Sequence, residues 1–504
     1  MKYKVIGLLS AVLLIMMAFA SVTYEPAPNR YHQHLEAQEK APCTDHGEDV
    51  FCTHLPLINI ETEQPVPDPY VYEPDGKVRR NPKNKRREAN ELMVHSSIQV
   101  FDSQTENNHL TDKPTFDEKG LFRIRGNTSR EFDKKSYLVK FTQENYVDNK
   151  DIPLAGMTAD SSWALHGPFL DKTLIRNYLC YNLAGEIMEY SPNVRFCELF
   201  LNGKYQGIYL IIEKINFNKD GRINLTKSDP KIPETSYILR IDDGLTDSPH
   251  KLVTFADDVR LRGMESRRYE HLQILYPGST LTPAQHEYID YDISKFERAL
   301  TSDDLSDSKK GYAAYIDVDS FVNYFVLNEF LMNSDAGRIS TYLAKDIRGK
   351  IKIISWDYNN VFNNYMDDLA SPHRFYINSV YFNYLLSDEA FVTAVINKYS
   401  DLRQSFLSDE YLNKYIDDTI EYLGPAIERN FKKWGYSFQQ DLVLESSSET
   451  NTPIRNPRNY DEAIDSLKEN IHQHGKFLDD NIDSLHSHCQ FSSNNYFKDR
   501  EDEY

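Results

Sequence analysis

The sequence lacks the glycine-rich motifs with which many proteins bind nucleotides. Neither G-x-G-x-x-G nor the phosphate-binding G-x-x-x-x-G-K-[ST] occurs in its 504 residues, and glycine itself is infrequent, with 20 in the chain. Such motifs place backbone amides against phosphate groups. A phosphate site in this protein would therefore have to be built in an unconventional way.

Cysteine is also scarce. The five cysteines are Cys43, Cys52, Cys180, Cys197 and Cys489. They include no C-x-x-C, and no pair of histidines lies at ligand spacing beside them, so metal binding through sulfur is not expected. In an exported protein, Cys43 with Cys52 and Cys180 with Cys197 are candidate disulfides, and the odd number leaves at least one thiol over.

Basic residues are fewer than acidic ones. The 57 Lys and Arg against 77 Asp and Glu give a formal net charge of −20. This charge opposes non-specific binding to nucleic acid and favours basic partners. An acidic surface that only keeps an exported protein in solution would give the same balance, so nucleic acid is not an expected partner.

Long apolar runs are absent beyond the N-terminus. There, Lys2 and Lys4 precede an apolar run over 5–19, and Ala18 with Ala20 forms an A-x-A cleavage pattern. The run is shorter than the ~20 apolar residues that a membrane-spanning helix needs. We therefore expect a cleaved signal peptide, a secreted protein and no stable membrane span.

The length and the order of patterns predict an α+β protein with two lobes. The predicted organisation is a signal peptide at 1–20, a Pro-rich and basic arm with one docked strand at 21–90, a β-rich N-terminal lobe with one helix at 91–215, a mainly helical C-terminal lobe at 216–490, and an acidic polar tail at 491–504.

Alternation and turn signals locate the individual elements. Strands are predicted at 55–60, 97–101, 120–125, 136–141, 194–201, 207–213, 339–343 and 350–356, and helices at 171–188, 284–300, 318–333, 388–434 and 460–485. The pair Asn202-Gly203 tolerates positive φ and predicts a hairpin between two of these strands.

Two carboxylates flank the later hairpin. Asp335 lies in a loop of small residues before one strand, and Asp357 follows the other. Paired acidic groups can hold Mg²⁺ against phosphate oxygens while one of them receives the proton of an attacking hydroxyl. Asp is also common in turns and helix caps, so a structural role is the alternative for each residue taken alone.

The upstream strands supply cations. Arg125 begins a turn whose backbone amides can approach an anion, and Lys140 extends from an apolar strand. A phosphate needs such charges. A lysine on a strand is nevertheless often only solvated.

Several separate motifs resemble the CotH kinase family. They are Arg125-Gly-Asn-Thr-Ser129, Lys134-Lys-Ser-Tyr-Leu-Val-Lys140, Asp171-Lys-Thr-Leu-Ile-Arg-Asn177, Leu201-Asn-Gly-Lys-Tyr-Gln-Gly-Ile-Tyr-Leu-Ile-Ile-Glu-Lys-Ile215, Asn333-Ser-Asp335 and Trp356-Asp-Tyr358. The resemblance, over about 55–485, implies an atypical protein-kinase-like fold with a β-rich N-lobe and a mainly helical C-lobe. It also implies use of ATP with Mg²⁺ or Mn²⁺ to phosphorylate Ser, or Thr, in a Ser-rich basic protein of a spore coat or cell surface.

The resemblance also implies residue roles. Asp335 would be the catalytic base, Asp357 the metal-binding acid, and Lys140 the lysine that faces the phosphates, with Lys135 as runner-up. Arg125 would join them at the nucleotide. Segment 212–215 falls where a kinase hinge contacts adenine, with Glu213 orienting it. Arg176 and Asn177 would lie on the helix that faces the site.

This chain departs from the family pattern at the predicted metal set of Asp357, Ser340 and Asn359. Where relatives tend to carry an Asn and a second Asp, it has Ser340 and Asn359. No Glu on the helix that starts at Asp171 clearly matches the usual partner of the phosphate lysine, and Glu186 and Glu198 are the two candidates. A catalytically weak pseudokinase scaffold is therefore the main alternative. A carbohydrate-active enzyme is a third, based on paired carboxylates and on the aromatic residues Trp163, Trp356 and Tyr358.

Overall fold

A computed structural model describes most of the chain. The described residues are 30–40, 43, 50–68, 70–72, 78–80, 93–126, 128–215, 217, 223–243, 250–259, 270–364, 371–439 and 456–489. The predicted signal peptide at 1–20, the acidic tail at 491–504 and all of the basic cluster at 77–87 except 78–80 lie outside the described residues.

The first part of the chain forms a closed barrel. Its strands are β1 (Leu57–Thr62), β4 (Val94–Phe101), β5 (Phe116–Arg125), β6 (Ser136–Thr142), β7 (Ser162–His166), β8 (Val194–Leu201) and β9 (Lys204–Glu213), while β2 (Tyr70–Tyr72) and β3 (Val78–Arg80) pair with each other. The order around the barrel is β1-β4-β5-β6-β7-β9-β8. Only the contact of β1 with β8 is parallel among these neighbours.

Alternation along the strands fills the barrel. Phe122, Val139, Trp163, Tyr209 and Ile211 all belong to one buried cluster inside it. Because successive side chains of a strand point to opposite faces, the residues between them lie on the outer face. Every second side chain of a strand thus belongs to the barrel core, and the side chains between them lie on the outer surface of the barrel.

Strand β1 comes from the Pro-rich N-terminal arm and closes the barrel. Its Ile58 pairs with Val100 of β4 on one side and with Leu199 of β8 on the other. Ile58 and Ile60 are buried in the barrel core. The strand predicted in the arm is therefore part of the barrel wall.

The rest of the chain combines helices with a second sheet. That sheet has the order β11-β10-β12-β13, formed by β10 (Tyr237–Asp243), β11 (Glu270–Tyr276), β12 (Thr341–Lys345) and β13 (Lys352–Ile354). The sequence analysis missed β10 and β11. Tyr237 and Leu239 of β10 belong to one buried cluster and Ile238 between them belongs to another, so the strand starts as a short apolar run rather than with alternation.

The helices are α1 (Gln33–Glu36), α2 (Arg176–Ile187), α3 (Phe255–Asp258), α4 (Pro283–Leu300), α5 (Val318–Phe330), α6 (Val380–Leu385), α7 (Glu389–Arg403), α8 (Asp409–Leu423), α9 (Pro425–Trp434), α10 (Tyr460–Asn481) and α11 (His486–Cys489). Short 3₁₀ turns occupy Thr128–Arg130, Leu154–Gly156, Gly278–Thr280, Tyr312–Ala314, Gly435–Gln439 and Ile482–Leu485. In the described ranges, no helix is both long enough and apolar enough to cross a membrane.

Helix α2 is buried on nearly every side. One hydrophobic cluster joins Leu179 of α2 to Leu210 on the outer face of the barrel, to Leu239 of β10 and to Phe325 of α5. A helix buried all round belongs to the centre of a protein rather than to its surface. Helix α2 therefore packs between the barrel wall and the later helices.

The predicted Cys180–Cys197 bridge is wrong. Cys180 packs in the cluster around α2, whereas Cys197 lies in the barrel core. Val194 and Phe196 of β8 belong to the cluster around α2, so the pleat of β8 turns Cys197 away from the helix. Both are buried free thiols.

A buried ion pair joins α9 to the barrel. Arg429 donates to both carboxylate oxygens of Glu198, from Nε at 3.0 Å and from Nη2 at 2.6 Å. The Glu198 side chain has 0% exposure. Tyr205 donates a further hydrogen bond to the same carboxylate. This pair therefore compensates a charge that has no access to water.

We predict that Arg429→Ala lowers the free energy of unfolding by about 3 kcal/mol, because it leaves the Glu198 carboxylate buried with Tyr205 as its donor. Lys432→Ala on the same helix is the matched control. Its ion pair with Glu428 is exposed, so its loss should cost about 0.5 kcal/mol or less. Urea unfolding of both variants checks this, and equal effects would contradict it.

Candidate active site

The loop after β13 presents Asp357 in a conformation that needs support. Its φ is 66°, in the left-handed region that residues other than glycine seldom adopt. Two side chains of α2 hold the loop. The backbone amide of Asp357 donates to the Tyr181 hydroxyl at 3.2 Å, and that of Tyr358 donates to Asn177 Oδ1 at 3.2 Å. The buried helix thus fixes the backbone of the acidic residue.

Asn177 continues this support to the carboxylate itself. Its Nδ2 donates to Asn359 Oδ1 at 2.8 Å, and Asn359 Nδ2 donates to Asp357 Oδ1. Asn177 therefore faces the site. Arg176 instead pairs with Asp171 at 2.6 Å, and both side chains are buried.

The surroundings of Asp357 oppose its ionisation. Desolvation raises the pKa of Asp357 above the usual value of an aspartate, although the nearby Arg125 guanidinium and the Asn359 hydrogen bonds act in the opposite direction. Asp242, at the end of β10, raises the pKa further. A carboxylate that protein cations only partly compensate is suited to receive an added cation.

The loop that carries Asp335 is a tight turn. The Asp335 carbonyl accepts from the amides of Arg338 at 3.0 Å and Ile339 at 2.9 Å. Gly337 has a φ of +77°, and a Cβ on it would lie 2.5 Å from Ser379 Oγ. Glycine adopts this conformation without strain, so the turn requires a glycine at position 337.

A buried amide network joins the two loops. Asn328 of α5 accepts at Oδ1 from Asn333 Nδ2 at 2.8 Å and from Ser355 Oγ at 3.1 Å. Asn333 is two residues before Asp335, and Ser355 is two residues before Asp357. The sequence analysis missed Asn328. The feature that could have identified it is an amide side chain within the mainly apolar sequence of α5.

We predict that Asn328→Ala lowers the free energy of unfolding by about 2–4 kcal/mol, because it strands two buried donors, the Asn333 amide and the Ser355 hydroxyl. Asn323→Ala is the control on the same helix, since the buried Asn323 Oδ1 has no hydrogen-bond partner among the described residues. It should change stability by less than about 1 kcal/mol. Thermal and urea unfolding compare the two variants.

A set of cations lies on the outer face of the barrel. Phe122 and Val139 face inward, so Arg123 and Arg125 of β5 and Lys140 of β6 face outward. Lys140 pairs with Leu121 on one side and with Ser162 on the other. Lys214 lies just beyond β9, two residues after Ile212, whose side chain packs on the outer face of the barrel. The sequence analysis did not identify Lys214 as one of these cations.

Electrostatic contacts show that these cations form one group. Burial and repulsion by Arg125 and Arg130 lower the pKa of Arg123 to about 10. The pKa of Lys214 is also lowered, first by burial and then by Arg125, Arg123 and Lys140, while Asp160 opposes the shift. Concentrated positive charge with restricted access to water is the requirement for binding a polyanion.

Arg125 links the cations to the acidic loop. Its guanidinium carbon lies 5.9 Å from the centre of the Trp356 ring, next to Asp357 in sequence. It also acts on His166, whose pKa burial and this charge lower to about 3. The neutral His166 Nε2 lies 3.2 Å from Asn177 Nδ2. One face of the barrel therefore meets the Asp357 loop.

Two further predicted nucleotide residues have protein partners. Lys135 Nζ lies 3.2 Å from Asp68 and donates to the Arg130 carbonyl at 2.6 Å. Glu213 is buried and accepts from the backbone and side chain of Asn193, at 2.9 and 3.1 Å. These contacts fix the backbone around both residues.

The structure assigns other roles to the two glutamates that were considered as lysine partners. Glu186 contacts His32 at 2.8 Å, and Glu198 pairs with Arg429. The acidic group that acts on Lys214 is Asp160. The carbohydrate interpretation loses support, because Trp163 and Tyr358 have 0% exposure and cannot stack on a sugar.

The predicted metal set fits a cation in part. Both hydrogen bonds from Asn359, through its backbone amide at 3.4 Å and through its side chain, reach Oδ1 of Asp357. Oδ2 is therefore the oxygen better placed to engage a cation. Asn359 already uses its own Oδ1 to accept from Asn177, so it positions Asp357 rather than offering a ligand oxygen. Ser340 has a φ of 51° directly before β12.

Comparisons with known proteins give the family to which this chain is similar. A family model described as CotH kinase protein matches residues 122–478. The inner spore coat protein H of Bacillus subtilis (strain 168) is 24% identical over 368 residues, which cover 72% of this chain and 86% of that protein. The matched range contains the cations on the barrel, both aspartates and the loop network.

Proposed function

The chain belongs to the CotH kinase protein family, and from this premise we propose that it is a coat-associated, ATP-dependent protein kinase that phosphorylates Ser or Thr. The observation that carries the proposal is the meeting of the cations on the barrel face with the Asp357 loop. A triphosphate needs both a set of cations and a carboxylate that holds a divalent ion.

The proposed arrangement is the two-lobe, kinase-like one. The nucleotide would lie between the outer face of the barrel and the Asp335–Asp357 region, with adenine near 212–215. Lys140, Lys214 and Arg125 would contact the phosphates, since their charges converge on that face. In this proposal Lys214 replaces Lys135, which the sequence analysis gave as the runner-up for the lysine that faces the phosphates.

Asp357 would hold Mg²⁺ or Mn²⁺. Its carboxylate is fixed by Asn359, and its raised pKa reflects a site where negative charge is incompletely neutralised. The ion supplies neutralisation of the charge that develops on the phosphate oxygens. Asn177 and Tyr181 hold the loop, so the geometry of the carboxylate is set before the ion binds.

Asp335 would accept the proton of the acceptor hydroxyl. Its turn is fixed through Asn333 and Gly337, because the Asp335 amide donates to Asn333 Oδ1 and the Gly337 amide donates to the Tyr324 hydroxyl. A base works in this role when it is held within hydrogen-bond reach of the hydroxyl. The acceptor is a Ser or Thr in a basic protein, because the net charge of −20 attracts positive partners.

We predict that Asp335→Asn and Asp357→Asn each lower transfer of labelled γ-phosphate by at least 100-fold, because the first removes the proposed base and the second removes the carboxylate that holds the ion. The assay uses ATP with Mg²⁺ or Mn²⁺ and a Ser/Lys-rich peptide. Asp401→Asn, an exposed aspartate on α7, is the matched control and should retain activity.

The outcomes separate the competing functions. Nucleotide binding without phosphate transfer in the native protein would establish the pseudokinase alternative, which the departures at Ser340 and Asn359 keep open. A native protein that neither binds nucleotide nor transfers phosphate would contradict the kinase proposal.

The raised pKa of Asp357 predicts a pH effect. The carboxylate form is the one that binds a cation, so activity should fall on acidification at a higher pH than an ordinary aspartate would give. Arg125 lowers the pKa of Asp357. Arg125→Gln should therefore move the acidic limb of the pH–rate profile to still higher pH. Arg125→Lys keeps the charge and is the control. An unchanged limb at saturating ATP would contradict this assignment.

A further inference from the structure

A second cluster of reactive side chains lies apart from the candidate active site. Cys43, Cys52 and His109 each offer one ligand atom, and these atoms all lie within 4.8 Å of one another. The Cys43 sulfur is 2.9 Å from His109 Nε2. The spacing of the cysteines had argued against metal binding through sulfur, but the fold brings in a histidine 66 residues beyond Cys43.

The backbone builds this cluster. Thr53 and Asn108 form an antiparallel bridge, with the Thr53 amide 3.1 Å from the Asn108 carbonyl and the Asn108 amide 2.7 Å from the Thr53 carbonyl. Cys52 and His109 are the next residues on the two strands of this bridge and lie opposite each other. Asn108 Nδ2 also donates to the Leu55 carbonyl at 2.8 Å, which fixes the bridge to the start of β1.

The histidine is oriented by a carboxylate. Asp112 Oδ2 lies 3.0 Å from His109 Nδ1 and also accepts from the His109 backbone amide at 2.8 Å. A hydrogen on Nδ1 leaves the lone pair of Nε2 directed at the Cys43 sulfur. A histidine that binds a metal through one nitrogen commonly donates from the other to a carboxylate.

We propose that Cys43, Cys52 and His109 bind a zinc-class divalent ion. Two sulfurs and an imidazole are ligands that Zn²⁺ prefers. In a tetrahedral site, ordinary zinc bond lengths place such ligand atoms about 3.5–3.8 Å apart, so the sulfur and nitrogen that are now 2.9 Å apart need only a small separation. The two thiols release their protons on binding, and a water molecule takes the fourth position.

A metal explains the histidine better than a disulfide does. His109 is buried, with 5% exposure. If Cys43 and Cys52 were joined, neither sulfur would carry a proton to donate to His109 Nε2. A bound ion satisfies Nε2 and both sulfurs together. It would also fasten the segment that carries Cys43 to the barrel. This site is independent of the proposed kinase function.

The test measures zinc in the full-length protein purified without chelator. We expect one zinc per chain by elemental analysis, a thiolate-to-cobalt charge-transfer band after exchange with Co²⁺, and loss of both in Cys43→Ser and His109→Gln. Asp112→Asn should keep the ligands but weaken Zn²⁺ binding by roughly 10- to 100-fold. Glu389, His486 and Cys489 form a second group that could hold an ion, so Cys489→Ser is the comparison variant, and it should keep the zinc and the cobalt band of the Cys43 site.

Two results would overturn the assignment. One is a Cys43–Cys52 disulfide in the non-reduced native protein, found by mass spectrometry of its peptides. The other is zinc or cobalt binding that is absent, or that persists undiminished in Cys43→Ser and His109→Gln. Circular dichroism of each variant shows whether it is folded, and Asp112→Asn gives a graded effect even if a cysteine variant does not fold.

Discussion

The hold of helix α2 on the loop after β13 is the contact on which the candidate site depends. Tyr181 and Asn177 each accept a hydrogen bond from a backbone amide of that loop. Asn177 also donates to Asn359, which in turn donates to Asp357. The helix itself is held by apolar contacts with the barrel and with the later helices. Packing of the protein centre therefore sets the geometry of one carboxylate.

Electrostatics around the site follow from the same packing. The outer face of the barrel gathers Arg123, Arg125, Lys140 and Lys214, and burial together with mutual repulsion lowers the pKa of two of them. Nearby, desolvation raises the pKa of Asp357. Cations that repel one another and a carboxylate that lacks full compensation would both be stabilised by a bound complex of polyanion and divalent ion, as the proposed function requires.

Local signals in the sequence predicted the local parts of this structure. Asn202 and Gly203 both have positive φ in the hairpin that joins β8 to β9, as their pairing predicted. Asp335 and Asp357 do flank the hairpin of β12 and β13. These features depend on neighbouring residues, for which turn chemistry and alternation are reliable guides.

Features that depend on distant residues were not predictable in this way. Lys214 joins the group of cations because Arg125 lies near it on the barrel face, and Asn328 bonds to residues of two different loops. Pairing of β1 with β8 joins segments far apart in the chain, and the start of β10 does not alternate because both of its faces are buried there. Each of these needs knowledge of which elements are adjacent in space.

The most direct test of the account is a crystal structure with a non-hydrolysable ATP analogue and Mn²⁺, with the ion located by its anomalous signal. The account predicts Mn²⁺ on Asp357 and phosphates against Lys140, Lys214 and Arg125. Mn²⁺ and nucleotide bound elsewhere, or phosphates that leave these three cations untouched, would contradict it.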